Sequence, residues 1–392
     1  MKTKILITSI VLLCLSFVAH AQLSEHAKVG VLTCGAGQEF YEAFGHSAIH
    51  IVDDSLLLED GSTLDIVFNY GTFNFAVDNF YFKFARGKLP YELGVEKFEN
   101  FIWSYQHEQR SIHEQMIAMT QEQKNRLYQL LVQNYLPENR YYAYDFFRDN
   151  CATRIRDIVQ KAIGQPVFET KMTEKPATFR SLYYLYTDSL LWWRLGIDIA
   201  LGDRTDKKIS TWEYMYLPND LENQIDTLVY AGKKGGLVTE KKQHCVQTLP
   251  PPNKAWITPN LLFWTIFVLT VLLTLMELTK GFYAKIFDIV LFFILTILAI
   301  LLIFLWFFSD HYATKDNFNL LWANPLAIVL LTRLKKTPIW ISGMYALCII
   351  SAFGCFGLFP QQFNIAILPI LLIILLRLFA ITNQKQQFIK LK

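Results

Sequence analysis

Cys151 is the residue in this sequence that is best placed to act as a nucleophile. It lies in the stretch YDFFRDNCATRIRDIV, residues 144–159, and apolar residues follow it with helical spacing. The sequence therefore predicts an amphipathic helix that begins near Cys151, with Asp149 or Asn150 as its N-cap. A thiol in the first helical turn lies near the positive end of the helix dipole, which favours the reactive thiolate. A small buried cysteine at a helix start is the alternative interpretation. The apolar residues are Ile155, Ile158, Val159, Ala162 and Ile163.

His46 is the predicted base for this thiol. It follows Gly45 in FYEAFGHSAIHIV, and the alternation predicts a strand with His46 and His50 on one face. Two histidines four residues apart on a strand lie about 13 Å apart and cannot both ligate one metal ion, which argues against a zinc site. We also expect no cofactor. Asn69, in a second β-like stretch, is the predicted orienting group for the imidazole. Capping of a turn is the alternative role of Asn69.

The amino-terminal residues have the pattern of a secretion signal. Residues 1–21 combine Lys2 and Lys4 with an apolar run and end in Ala-His-Ala. We therefore expect residues 22–255 to form an exported α+β domain. The formal net charge of +3 and the lack of a basic patch argue against binding of nucleic acid.

The exported part contains an odd number of cysteines, namely Cys34, Cys151 and Cys245. In an oxidising compartment at least one of three thiols stays free or pairs outside the chain. A disulfide between Cys34 and Cys245 is compatible with a free Cys151, but the sequence does not establish it.

Residues 256–392 are predicted to form an all-α membrane domain. Long apolar segments lie at about 260–279, 286–308, 339–358 and 364–380, each near the twenty residues that a helical span needs. A shorter segment at about 318–332 is counted as a fifth span, because only then do the later lysines fall on the cytoplasmic side. This topology exposes residues 308–324 beside the exported domain, where polar side chains could bind a lipid headgroup. An ordinary solvated loop is the alternative. The polar residues predicted to bind substrate there are His311, Asn319 and Asn324.

A histidine strand that precedes a cysteine helix resembles the circularly permuted papain-like thiol enzymes. The sequence resembles still more closely the Lnb family of Bacteroidetes lipoprotein N-acyltransferases, over nearly the whole mature chain and with its blocks in the same order. Ala36 departs from the pattern, where proline is expected before Gly37. The matching blocks are Leu32 to Cys34, Gly37, Tyr41, Phe44 to His46, Ala48, Ile49, Asn69 to Phe73, Phe84 to Lys88, Tyr144 to Asp157 and Asn319 to Pro325.

The resemblance implies an enzyme of the bacterial inner membrane, with several spans and its catalytic domain in the periplasm. Cys151 would take an acyl chain from a phospholipid as a thioester, and the α-amine of a diacylated lipoprotein would accept it. The resemblance also implies substrate-binding roles for Tyr41, Asn150 and Arg154. A membrane-tethered cysteine hydrolase and a non-catalytic scaffold that binds lipids or lipoproteins are the alternative interpretations.

Overall fold

The structure is a computed structural model, and it describes residues 22–164, 168, 177–230, 233–281, 283–334 and 337–390. The predicted secretion signal at residues 1–21 lies outside the described residues. The same holds for Lys335 and Lys336, on which the predicted membrane topology partly depends.

A seven-stranded antiparallel sheet forms the centre of the amino-terminal domain, with the strand order β6-β4-β3-β2-β1-β5-β9. The short strands β7 and β8 pair separately. β2 lies in the middle of the sheet, so both of its edges are paired and its polar backbone groups are satisfied. The strands are β1 Lys28–Cys34, β2 His46–Leu57, β3 Thr63–Thr72, β4 Pro90–Lys97, β5 Ile112–Ile117, β6 Tyr141–Ala143, β7 Val229–Tyr230, β8 Lys233–Lys234 and β9 Val238–Cys245.

Helices cover both faces of this sheet. The alternation along β2 places Ile49 in one core, beneath the helices Gln121–Tyr135 and Cys151–Ile163, and Ala48 in the opposite core, beneath the helix Phe98–His107. The helices are α1 Phe80–Ala85, α2 Phe98–His107, α3 Gln121–Tyr135, α4 Cys151–Ile163, α5 Phe179–Tyr184, α6 Leu191–Ala200, α7 Thr211–Tyr214 and α8 Pro218–Thr227. The predicted α+β class and the predicted order, with the histidine strand before the cysteine helix, are confirmed.

The carboxyl-terminal part is helical and largely apolar. Pro259–Lys280, Lys285–Phe307 and Ile339–Phe356 are each long and apolar enough to cross a membrane, and Ile367–Asn383 is a shorter apolar stretch. The helices are α9 Pro259–Lys280, α10 Lys285–Phe307, α11 Leu326–Arg333, α12 Ile339–Ala352 and α13 Ile367–Lys390.

The segment at 318–332, which the sequence predicts as one membrane span, is not a single long helix in the structure. It consists of a 3-10 turn, Phe318–Leu321, and the eight-residue α11. Eight helical residues extend about 12 Å, far less than the roughly 30 Å of a bilayer core. The Oδ1 atom of Asn324 accepts a hydrogen bond from the N–H of Leu326 at 2.9 Å, which fixes the start of α11 there. The number of five crossings therefore stays a prediction.

Residues 308–324 join the two domains. The N–H of Gly202 donates to the carbonyl of Ala313 at 2.8 Å, and the Nδ2 atom of Asn317 donates to the carbonyls of Ile199 and Ala200. The two segments approach so closely that a Cβ atom on Gly202 would lie 1.8 Å from the carbonyl oxygen of Lys315. Residues 308–324 therefore bind the exported domain, and we call them the docking segment. An ordinary loop would instead be solvated along its length.

Candidate active site

Cys151 is the first residue of α4, as the sequence predicts, and Asn150 is the N-cap. The Oδ1 atom of Asn150 accepts a hydrogen bond from the N–H of Thr153 at 2.9 Å, and the Thr153 hydroxyl accepts one from the N–H of Asn150 at 2.8 Å. This capping box leaves the N–H of Ala152 free to donate to the sulfur of Cys151. The thiol is buried, with 7% of its surface exposed.

His46 begins β2 and lies against this thiol, with a hydrogen bond between the two side chains. The preceding residue, Gly45, has a φ of +74°, and a Cβ atom there would lie 2.5 Å from the carbonyl oxygen of Cys34. Only glycine fits this turn without strain. The turn thereby fixes the position at which the imidazole enters the site.

The pKa values of Cys151 and His46 shift towards an ion pair. Burial is the largest influence on the pKa of Cys151 and acts to raise it. The charge and hydrogen bond of His46, together with the N–H groups of Ser47 and Ala152, outweigh burial, so the pKa of the thiol lies below its ordinary value. Burial acts to lower the pKa of His46, but the neighbouring thiolate raises it above its ordinary value. The pair therefore favours thiolate and imidazolium.

Asn69 lies on the far side of the imidazole from the thiol. Its Oδ1 atom is 2.5 Å from the Nε2 atom of His46, which orients the ring so that Nδ1 faces Cys151. The structure thus brings together the three residues that the sequence predicts as catalytic.

Glu96 extends this chain of contacts, and the sequence analysis missed it. Its side chain hydrogen-bonds Asn69, and its pKa is raised by burial, an effect that the Asn69 hydrogen bond and the charge of His46 oppose. β3 and β4 pair Val67 with Glu96 and Asn69 with Gly94, which places Glu96 and Asn69 diagonally on one face of the sheet. Only the register of this strand pair gives the contact, so no local motif could have revealed it.

The three residues predicted to bind substrate near the thiol have different surroundings. Tyr41 is exposed and packs its ring edge-on against Phe73 and Phe75. Arg154 forms a bidentate ion pair with Asp149, at 2.6 and 2.8 Å, and lies over a tyrosine ring.

Asn150 uses its polar atoms within the protein. Its Nδ2 atom donates to the carbonyls of Phe146 and Tyr216, and its Oδ1 atom caps α4. We therefore assign Asn150 a structural role in place of the predicted contact with substrate.

The residues predicted to form a headgroup-binding lip mostly hold the domains together. Asn319 is fully buried, with Nδ2 bonded to the carbonyl of Asp198 at 3.1 Å and Oδ1 bonded to the indole of Trp322 at 2.9 Å. Asn324 caps α11, and the Nε2 atom of His311 lies 2.7 Å from the carbonyl of Phe84. The expectation that Asn319 and Asn324 bind a lipid is replaced by interdomain and capping roles, because their polar groups already have protein partners.

The loop before Cys151 touches the membrane domain. The guanidinium of Arg148 lies 3.4 Å from the centre of the Tyr312 ring, and the N–H of Tyr312 donates to the carboxylate of Asp145 at 3.4 Å. The loop residues that contact Tyr312 thus lie three and six positions before Cys151 in the sequence. Within the described residues, no group of three or more His, Cys, Asp or Glu side chains is arranged to hold a metal ion.

Cys34 and Cys245 are both buried with free thiols. The disulfide that the sequence left open is therefore not formed in the structure.

These features define a membrane protein with an α+β domain that carries a buried Cys-His-Asn arrangement. The chain belongs to the Lnb family. The model of the Lnb N-terminal periplasmic domain matches residues 18–184, and the model of the Lnb transmembrane domain matches residues 251–387. No curated protein and no solved structure matches the chain significantly.

Proposed function

We propose that this protein is a lipoprotein N-acyltransferase of the bacterial inner membrane, with several spans and its catalytic domain in the periplasm. The observation that supports this most is the hydrogen bond between the buried Cys151 and His46 side chains, in a domain whose loop before Cys151 contacts the membrane domain. A buried thiolate is a strong nucleophile towards carbonyl carbon, and lipid esters are the abundant acyl compounds beside a membrane domain.

In the first half-reaction, the Cys151 sulfur attacks the carbonyl carbon of a phospholipid acyl ester. The N–H groups of Ser47 and Ala152 hydrogen-bond the sulfur, and we assign to them the stabilisation of the oxyanion that forms next to it. The carbon–oxygen bond of the ester breaks, and the imidazolium of His46 donates a proton to the departing alkoxide. A lysophospholipid leaves, and the acyl chain remains on Cys151 as a thioester.

In the second half-reaction, neutral His46 takes a proton from the α-amine of the lipidated amino-terminal cysteine of a lipoprotein. The amine nitrogen attacks the thioester carbon, the carbon–sulfur bond breaks, and an amide forms on the lipoprotein. The Cys151 thiolate and the His46 imidazolium are regenerated. Asn69 keeps the imidazole in one orientation through both steps.

The test is the mass of a lipoprotein amino terminus in cells that lack the native gene and express variants of this chain. We expect Cys151→Ala to abolish N-acylation while the membrane protein stays at its normal level. Cys245→Ala is the matched control, because it removes a second buried thiol that lies on β9. This control should leave the acylated mass unchanged.

A hydroxylamine-labile acyl group on Cys151 should accumulate when no acceptor is supplied. Fully acylated lipoproteins in the Cys151→Ala strain would refute the transferase. Loss of cell-wall peptide cleavage in that strain, with lipoprotein masses unchanged, would instead identify a cysteine hydrolase.

A further inference from the structure

The helix α1 turns aromatic side chains towards the outside of the molecule. None of its six residues is buried, and the exposed fractions are 83% for Tyr81, 56% for Phe82 and 48% for Phe84. Soluble surfaces rarely gather so many large apolar side chains within one short helix. Aromatic residues are, however, enriched where proteins meet the headgroup region of a bilayer.

Contacts with the membrane domain fix the position of α1. The ring centres of Phe82 and Phe304 are 6.0 Å apart, and Phe304 lies in the last turn of α10. The N–H of Asp310 donates to the carbonyl of Arg86 at 2.8 Å. Gly87 has a φ of +68°, and a Cβ atom there would lie 3.2 Å from the backbone nitrogen of His311. The helix α1 is therefore held where α10 leaves the membrane.

Positive charge accompanies the aromatic residues of α1. Lys83 lies within the helix, while Arg86 and Lys88 follow it directly. The Lys88 ammonium lies 3.6 Å from the carboxylate of Asp310. Basic side chains beside an apolar face complement the phosphate and the acyl chains of a phospholipid leaflet.

A series of aromatic rings leads from α1 to the thiol, and we call it the aromatic track. It consists of Phe80, Phe75, Phe73, Tyr91 and Tyr144. The ring centres are 5.1 Å apart for Phe80 and Phe75, 4.9 Å for Phe75 and Phe73, and 5.1 Å for Phe73 and Tyr91. The rings of Tyr91 and Tyr144 stack at 4.3 Å.

The aromatic track ends beside Cys151. A Cβ atom on Gly71 would lie 3.8 Å both from the Cβ atom of Cys151 and from a ring carbon of Tyr144. The missing side chain at Gly71 thus leaves space at the point where the track reaches the nucleophile. Tyr41 borders the outer part of the track, at 6.1 Å from Phe73.

We propose that α1 inserts into the periplasmic leaflet and that the aromatic track binds the acyl chain of a phospholipid drawn from that leaflet. The inference rests on the proposed acyl transfer and specifies how its donor is taken up. The occupant is a phospholipid, because α1, where the track begins, contacts the apolar helix α10 through Phe82 and Phe304 and carries basic residues.

The first experiment measures thioester formation on Cys151 by mass spectrometry of the full-length protein, in the absence of an acceptor. The donors are vesicles of phosphatidylethanolamine and phosphatidylglycerol, or the water-soluble ester p-nitrophenyl butyrate. The variant is the double substitution Tyr81→Ser and Phe82→Ser. The control is Trp103→Ser on α2, an aromatic residue that is 64% exposed on a different helix.

We expect the double variant to form thioester from vesicles about tenfold more slowly, because interfacial binding scales with buried apolar area. Its reaction with p-nitrophenyl butyrate should stay within about twofold of the unmodified protein. Equal rates from vesicles for the double variant and the control would overturn the role of α1 and the aromatic track but would leave the proposed acyl transfer intact. If the unmodified protein takes no acyl group from vesicles, the phospholipid donor assignment is overturned together with the inference.

A second experiment tests the outer part of the track with Phe75→Ala, an exposed ring that can be truncated without opening the core. The donors are p-nitrophenyl octanoate and p-nitrophenyl acetate. We expect the ratio of the octanoate rate to the acetate rate to fall at least severalfold. An unaltered preference would show that the acyl chain does not lie along these rings and would overturn the inference.

Discussion

Replacing His46 with alanine should make Cys151 much less reactive towards iodoacetamide at neutral pH. Burial is the largest influence on the pKa of Cys151 and acts to raise it, whereas the charge and hydrogen bond of His46 act to lower it. Without the imidazole, only the N–H groups of Ser47 and Ala152 oppose burial. The pKa of the thiol should then rise above its ordinary value of about 8.5.

The expected rise in the pKa of Cys151 can be estimated from the loss of its charged partner, His46. An opposite charge within hydrogen-bonding distance shifts a pKa by about 1–3 units. Each unit above the working pH lowers the thiolate fraction about tenfold, so a rise of two units slows alkylation at pH 7 by about a hundredfold. In the unmodified protein, the alkylation rate should instead level off below about pH 8.5, since the pKa of Cys151 is lowered.

The assay is peptide mass spectrometry after timed iodoacetamide treatment at a series of pH values. Cys34 is an internal control, because burial raises the pKa of this thiol to about 12 and it has no exposed surface. Protection of Cys34 in the His46→Ala variant shows that the fold is retained. An alkylation profile for Cys151 that matches the unmodified protein, with Cys34 still protected, would refute the ion pair.

Three further outcomes follow from the structure. Glu96→Gln removes a negative charge that supports the imidazolium through Asn69, so alkylation of the Cys151 thiol at pH 7 should slow about threefold; an unchanged rate would contradict this role. Gly45→Ala should lower the free energy of unfolding by about 2 kcal/mol or more, because its φ is +74° and the new Cβ would meet the carbonyl of Cys34. Thermal unfolding in detergent measures this, and an unchanged midpoint would count against the strained turn. Burial acts to raise the pKa of Glu114, but hydrogen bonds with two histidines lower it to about 2. The folded-state pKa lies below the unfolded value, so this carboxylate should contribute about 3 kcal/mol above about pH 4.3 and lose that contribution as the pH falls towards 2. Denaturant unfolding at several pH values should show a weaker acid dependence for Glu114→Gln, and an equal dependence would exclude the contribution.

Local patterns in the sequence determined the position of Cys151 at a helix start and the positions of most of the long apolar helices. A helical repeat after Cys151 and a capping residue at Asn150 are both properties of a few adjacent residues, and both recur in the structure. The alternation around His46 likewise defines a strand. Apolar runs of about twenty residues predict spans for the same reason, since composition and length alone decide them.

The tertiary structure decided which distant residues meet and which polar groups remain available. Glu96 reaches Asn69 only through the register of β3 and β4, and register depends on long-range pairing that no single segment encodes. Asn319 has a polar side chain that could bind a ligand, yet its Nδ2 atom donates hydrogen bonds to backbone carbonyls of α6. The sequence thus determined the reactive groups, because helix caps and periodicity are local. The packing of distant segments determined the contacts of Asn69 and Glu96 behind His46, the docking of the two domains and the aromatic track that leads to the thiol.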